Sequence, residues 1–226
     1  MAEPTVFSRL IDDVLSGRYE PGEKLPTQRA LAAELKVNMG PVREAVKRLE
    51  QLGLVDVRHG DAMRVADWRT SGGLDVIAHV LFAAGGLDRE ILGHLMEARR
   101  LMLTEAARLA AQRRTPEQAQ RLTDTARRLA DPADAESSSD ARQLLDYAFF
   151  ADIVEAAGNV VLVLILNSIR RIYFERAHLF EDMLTDDPSP YVEAAAAIER
   201  GDGDAAAAAV AELAGEQERR LMEATG

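Results

Sequence analysis

The period of the apolar residues changes twice along this chain, and that change limits its fold more than any other feature. Up to residue 53 apolar side chains recur at helical spacing. Over residues 54–57 and 63–65 they alternate with polar ones, and beyond residue 73 every apolar stripe is helical again. Two short alternating runs separated by His59-Gly60-Asp61 read as a single β-hairpin. The chain is therefore expected to be mainly α, with one small strand pair between a helical head and a longer helical body.

The head resolves into three helices. Residues 5–15 place Val6, Leu10, Val14 and Leu15 on or near one face, Gly17 stops the helix, and Pro21-Gly22 makes a turn. Thr27 can cap a second helix through Leu35, with Leu31, Ala32 and Leu35 as its buried stripe. A break over residues 36–40 follows. Pro41 suits the first turn of a third helix, which buries Val42, Val46 and Leu49 and ends at Gly53. Helix, helix–turn–helix, then hairpin is the order of a winged helix-turn-helix. The third helix carries Arg43, Lys47 and Arg48, and a helix of that kind fits a major groove about 12 Å wide. Arg58 and His59 sit at the hairpin tip, where they would meet an adjacent groove or a phosphate.

Net charge decides less than its distribution. The chain of 226 residues carries −11 overall. Residues 1–68 hold 10 basic and 11 acidic side chains, whereas residues 69–226 hold 17 and 27. Residues 24–64 have a local balance of +3, so the acidic mean does not oppose DNA binding by the head. There are no cysteines, which excludes disulfides, thiolate metal sites and cysteine nucleophiles and makes a reducing cytoplasm the expected compartment. The longest aliphatic run, from Val160 to Leu166, is seven residues, against the roughly 18 a membrane span needs. Glu3 and Pro4 follow Met1 without a basic–apolar–small-residue pattern, so neither a signal peptide nor a membrane partner is expected.

Residues 1–68 read as the DNA-binding domain, residues 69–73 as a linker, and residues 74–226 as an all-helical body. Residues 74–84 form an apolar helix ended by Gly85-Gly86. Asp88 caps a long helix to about Arg114, and Thr115-Pro116-Glu117-Gln118 opens another with a capping box. A Ser-rich loop over residues 131–140 leads to a helix near 141–157. The segment from Val160 to about Met183 starts apolar on every side, which predicts a central helix buried all round. Two last helices lie near 191–200 and 204–224.

Three stretches in the head closely resemble the GntR family of bacterial regulators. They are Tyr19-Glu20-Pro21-Gly22-Glu23-Lys24-Leu25-Pro26, Arg29-Ala30-Leu31-Ala32, and Pro41-Val42-Arg43-Glu44-Ala45-Val46-Lys47-Arg48-Leu49. The body, with Ala157-Gly158-Asn159 after a helix carrying Asp146, is similar to the effector domain of the family's FadR branch. The resemblance implies a homodimeric regulator that binds double-stranded operator DNA through Arg29, Asn38, Met39, Gly40, Pro41, Arg43, His59 and Gly60. Met39 and Asp61 depart from the family's pattern, so the operator is expected to differ. Asn38 could read adenine or only cap the third helix, and capping is the expected role.

Many members of this branch hold a divalent metal through an Asp, a His four residues on, and two later His. Mapped here those positions are Asp146, Phe150, Tyr191 and Leu213, and only the aspartate can ligate. No metal and no cofactor are expected. An aromatic and aliphatic site suits a chain, and the same region is similar to the fatty-acid-responsive members, whose pocket takes an acyl-coenzyme A thioester. The resemblance thus implies a long-chain acyl-coenzyme A effector lined by Arg99, Asp146, Phe150, Tyr173, Tyr191 and Leu213, which relieves DNA binding. A small organic acid is the alternative effector. An acyl-thioester enzyme is the alternative of another class, opposed by the absence of a Gly-x-Ser-x-Gly elbow and of any cysteine.

Overall fold

The computed structural model describes residues 5–57, 62–131, 138–185 and 187–226. The chain is mainly α, a winged helix-turn-helix followed by a helical body, and it divides into two compact units, Met1–Asp88 and Arg89–Gly226.

In the first unit α1 (Val6–Leu15) is capped by Thr5, whose side chain accepts from the Ser8 amide. Its buried face is Phe7, Leu10, Ile11 and Val14. Phe7 and Ile11 therefore replace the expected Val6 and Leu15, since the face is centred one residue further round the helix. Helix α2 (Gln28–Glu34) and α3 (Met39–Gln51) bury Leu31 and Ala32, and Val42, Ala45, Val46 and Leu49. The hairpin is β1 (Val55–Asp56) against β2 (Arg64–Val65), antiparallel, with Val55 opposite Val65 and Asp56 opposite Arg64. Residues 22–25 run along the other side of β2. Gly22 N–H donates to Val65 O, Val65 N–H to Glu23 O and Leu25 N–H to Met63 O. The Pro-Gly turn thus delivers a third, irregular edge that alternation alone does not show.

The expected linker is not a linker. Trp68–Ser71 forms a one-turn helix, α4, capped by Asp67, and Ser71 Oγ donates to Gly53 O at 2.8 Å. Residues 74–85, expected as one helix of the body, form two 3₁₀ turns around the single turn α5 (Ile77–Val80). Val76, Val80 and Leu81 are buried, and α5 packs on α1. The apolar side chains of this segment complete the first unit's core, and the division falls at Asp88 rather than at residues 69–73.

The second unit contains α6 (Arg89–Arg113), α7 (Pro116–Ala130), α8 (Ser139–Ala156), α9 (Val160–Glu175), α10 (Ser189–Arg200) and α11 (Gly203–Ala224). The capping box at Thr115 and Gln118 forms as the spacing predicts. Alanine faces bring α6 and α11 together, with Ala106, Ala107 and Ala110 on one and Ala206, Ala207 and Ala214 on the other, all buried. Arg114 ties two helix ends, donating to Ala111 O and to Glu199 O.

Helix α9 overturns an expectation. Val160, Val161 and Leu164 are 69%, 57% and 59% exposed, so its apolar start is not central. The helix ends at Glu175, with 3₁₀ turns at Ala177–Leu179 and Glu181–Met183 where a continuous helix was expected. Its main helical neighbour is α8, and one neighbour can bury only one side of a helix.

Candidate nucleic-acid interface and effector cavity

The turn between α2 and α3 is a Schellman closure. Lys36 N–H donates to Ala33 O and Val37 N–H to Ala32 O, with Lys36 at φ +55°. The closure fixes the start of α3 and displays its first turn. Arg29, Asn38, Gly40, Pro41 and Arg43 are all exposed, and Met39 is half-buried. Asn38 does not cap, because its side chain makes no capping hydrogen bond to α3, and it is left facing outward. Nothing lies within 4 Å of where a Cβ on Gly40 would sit, so no contact inside the head requires glycine there. Among the basic side chains of α3, Arg48 stacks on Phe7 with its guanidinium 3.7 Å from the ring centroid, a contact with α1 rather than a free charge. His59 and Gly60, with Arg58 and Asp61, lie outside the described residues.

The body holds a small cavity of about 50 Å³ that is partly open to solvent. Its walls are mostly apolar: Met96 and Leu103 of α6, Phe150 of α8, Leu166, Ile169 and Ile172 of α9, then Phe180 and Met183. Arg99, Asp146, Tyr147, Arg170 and Tyr173 supply the polar atoms of the lining. A mostly apolar lining with a few convergent polar groups is the make-up of a candidate ligand site.

Those polar groups form one network centred on Asp146, which is 1% exposed. Oδ1 accepts from Tyr191 Oη and from Gln217 Nε2, each at 2.6 Å, and Oδ2 accepts from Tyr173 Oη at 3.1 Å. Gln217 also accepts from Arg99 Nη2 at 2.8 Å. Burial, and next the Asp146 charge, push the phenols of Tyr173 and Tyr191 well above the ordinary tyrosine range, so both keep their protons. The Arg99 guanidinium lies 4.6 Å from the centre of the Phe150 ring.

Of the residues expected around the effector, Arg99, Asp146, Phe150 and Tyr173 line the cavity. Tyr191 stands behind Asp146 and reaches the network through its hydroxyl. Leu213 does not line the cavity; it is fully buried in the helical core. The side chain of α11 that meets Asp146 is Gln217, one turn on. A signal for it exists in the sequence, since Gln217 is a polar residue continuing the apolar stripe Val210, Leu213, Leu221. The residues do not fit a metal. Both oxygens of Asp146 already accept hydrogen bonds, and Gln217 Nε2 and the Tyr191 hydroxyl present hydrogen atoms where an ion would need lone pairs. Among the described residues no group of three or more His, Asp or Glu side chains could hold an ion.

A winged helix-turn-helix that displays the first turn of its third helix, followed by a helical body, is the architecture of a DNA-binding transcriptional regulator. Comparison with known proteins sharpens this. Residues 3–65 match the family model described as "Bacterial regulatory proteins, gntR family", and residues 94–215 match the FCD domain. The chain is 38% identical over 211 residues to the HTH-type transcriptional regulator Mce2R of Mycobacterium tuberculosis, covering 92% of this chain and 86% of that protein. It is 31% identical over 169 residues to a Salmonella paratyphi B fatty acid metabolism regulator protein, covering 73% of this chain and 66% of that one. A solved structure, Streptococcus agalactiae GntR, superposes with a TM-score of 0.52 at 25% identity, covering 95% of this chain and 97% of that chain. The chain belongs to the GntR family of transcriptional regulators. No helix of the described residues is long and apolar enough to cross a membrane.

Proposed function

We propose that this regulator controls fatty-acid metabolism in the cytoplasm as a homodimer, and that a long-chain acyl-coenzyme A releases it from its operator. The carrying observation is the cavity lining, aliphatic and aromatic over most of its surface, with Phe150, Tyr191 and Leu213 at the positions where the family's metal-binding members carry histidines. Similarity to a protein named as a fatty acid metabolism regulator supports the same reading. Arg29, Asn38, Met39, Gly40, Pro41 and Arg43 face DNA, with His59 and Gly60 from the wing. Leu166 and Tyr173 of α9 line the cavity, so an acyl chain would act on a helix whose apolar start, at Val160, Val161 and Leu164, is exposed. Only the difference in ligand affinity between DNA-competent and incompetent states counts for release, typically about 1–3 kcal/mol.

The test is operator release followed by fluorescence anisotropy. Palmitoyl-coenzyme A is expected to release DNA, whereas coenzyme A and acetyl-coenzyme A are not. While the cavity has room, four added carbons should contribute about 3 kcal/mol, at about 0.8 kcal/mol per methylene. Equal release by the acetyl and palmitoyl esters overturns the reading. Release by a short organic acid instead would favour a small-acid effector, for which the Arg99 charge is the one supporting observation.

A further inference from the structure

Asn38 has the backbone angles of a helix cap, φ −72° and ψ 162°, yet its side chain makes no hydrogen bond to α3. Elsewhere in the chain such side chains do cap. Thr5, Thr27 and Thr115 each accept from the amide three residues on, and Asn159 from the amide two residues on. Three residues after Asn38 stands Pro41, which has no N–H to give. The commoner capping target is therefore missing, and the carboxamide of Asn38 is left exposed with both its donor and its acceptor free of the helix.

The rest of the turn offers little else that can read a base. Met39 carries only a weakly accepting sulfur and is half-buried, and Gly40 and Pro41 carry no polar side-chain atom. The space around the Cα of Gly40 is open, so glycine there serves no neighbour inside the head. A recognition helix meets base edges with its N-terminal residues, which puts a free carboxamide where the major groove is read. Adenine shows that groove an adjacent donor and acceptor, N6–H and N7, which a carboxamide matches with two hydrogen bonds. Guanine shows two acceptors, so the carbonyl of Asn38 would face one of them unpaired. Cytosine and thymine show one such group each.

Resting on the reading above that the first turn of α3 faces DNA, we propose that Asn38 reads an adenine of the operator. Its Oδ1 accepts from the N6 amino group and its Nδ2 donates to N7. Gly40 keeps the turn bare, so that the duplex comes close enough for this short side chain to reach.

Selection of binding sites from a randomised duplex library with the full-length protein tests this. An adenine is expected to be fixed at one position of each half-site, and Asn38→Ala should relax that position alone. Replacing this adenine by 7-deazaadenine, which lacks N7, should weaken wild-type binding at least about fivefold in fluorescence anisotropy and leave Asn38→Ala binding unchanged. Gly40→Leu should weaken binding several-fold with an unchanged or higher Tm, since leucine favours helix over glycine. A selected site without a fixed adenine, 7-deazaadenine tolerated by the wild type, or Asn38→Ala weakening all sequences alike overturns the reading of adenine and leaves the DNA-facing turn standing. Wild-type binding by Gly40→Leu alone overturns the part given to Gly40. Wild-type affinity and preference in both variants take the first turn of α3 out of the interface, and this inference with it.

Discussion

Lys36 holds the left-handed conformation that closes α2, at φ +55°, a place where glycine is the usual residue. Its side chain is exposed, so little is lost with it. Lys36→Gly is expected to raise stability by about 0.5–1 kcal/mol, read as a higher urea midpoint with an unchanged slope. Tyr173, which lines the cavity, and Tyr191, behind Asp146, bind their protons more tightly in the folded than in the unfolded chain, because burial and Asp146 disfavour the phenolate. The stability they contribute is complete below the unfolded tyrosine range near pH 10, and is lost as pH climbs through the raised folded values. Their phenolate absorbance should therefore appear together with loss of helical circular dichroism. Titration of both in a still-folded protein would contradict this.

At the scale of elements, the one-turn helix α4 is held by a contact that leaves no room at its partner. A Cβ on Gly53, at φ +70°, would stand 2.2 Å from Ser71 O. Gly53→Ala is expected to cost at least about 2 kcal/mol of unfolding free energy, because backbone rather than a flexible side chain must yield. A loss under about 0.5 kcal/mol in urea melts would show that α4 moves away freely. Most helices were legible element by element: stripes, the Thr115 capping box and Gly stops place their ends within a few residues. Helix α9 was not, since an all-apolar start says that many faces avoid water but not which neighbours cover them. Its exposed Val160, Val161 and Leu164 are the result.

For the whole molecule, charge and fold are distributed differently. The strongly acidic body does not prevent a locally basic head from meeting DNA, since screening confines charges to about 10 Å at ordinary salt. Arg43→Ala is expected to weaken operator binding, and if its partner is a phosphate, to lower the slope of log affinity against log salt by about one. An unchanged affinity and slope would remove Arg43 from the interface. Chelation offers a complementary check on the body. With Asp146 already filled by hydrogen-bond donors, EDTA should leave the Tm of the full-length protein unchanged. A fall of several degrees, restored by one equivalent of zinc, would show that the network rearranges around an ion.

The amino-acid sequence by itself determined the order of elements, the winged helix-turn-helix and the helical body, which follow from periodicity, turn chemistry and local motifs that act over a few residues. Arg99, Asp146, Phe150 and Tyr173 were singled out only through the family resemblance, because their spacing alone reads as core packing. Only the tertiary structure decided that residues 74–85 complete the core of the first unit, that α9 shows an apolar face to solvent, and that Gln217 rather than Leu213 meets Asp146. Each of these depends on which face of one helix meets another. A shift of one turn along α11 exchanges a core leucine for a buried glutamine while leaving the helical pattern unchanged.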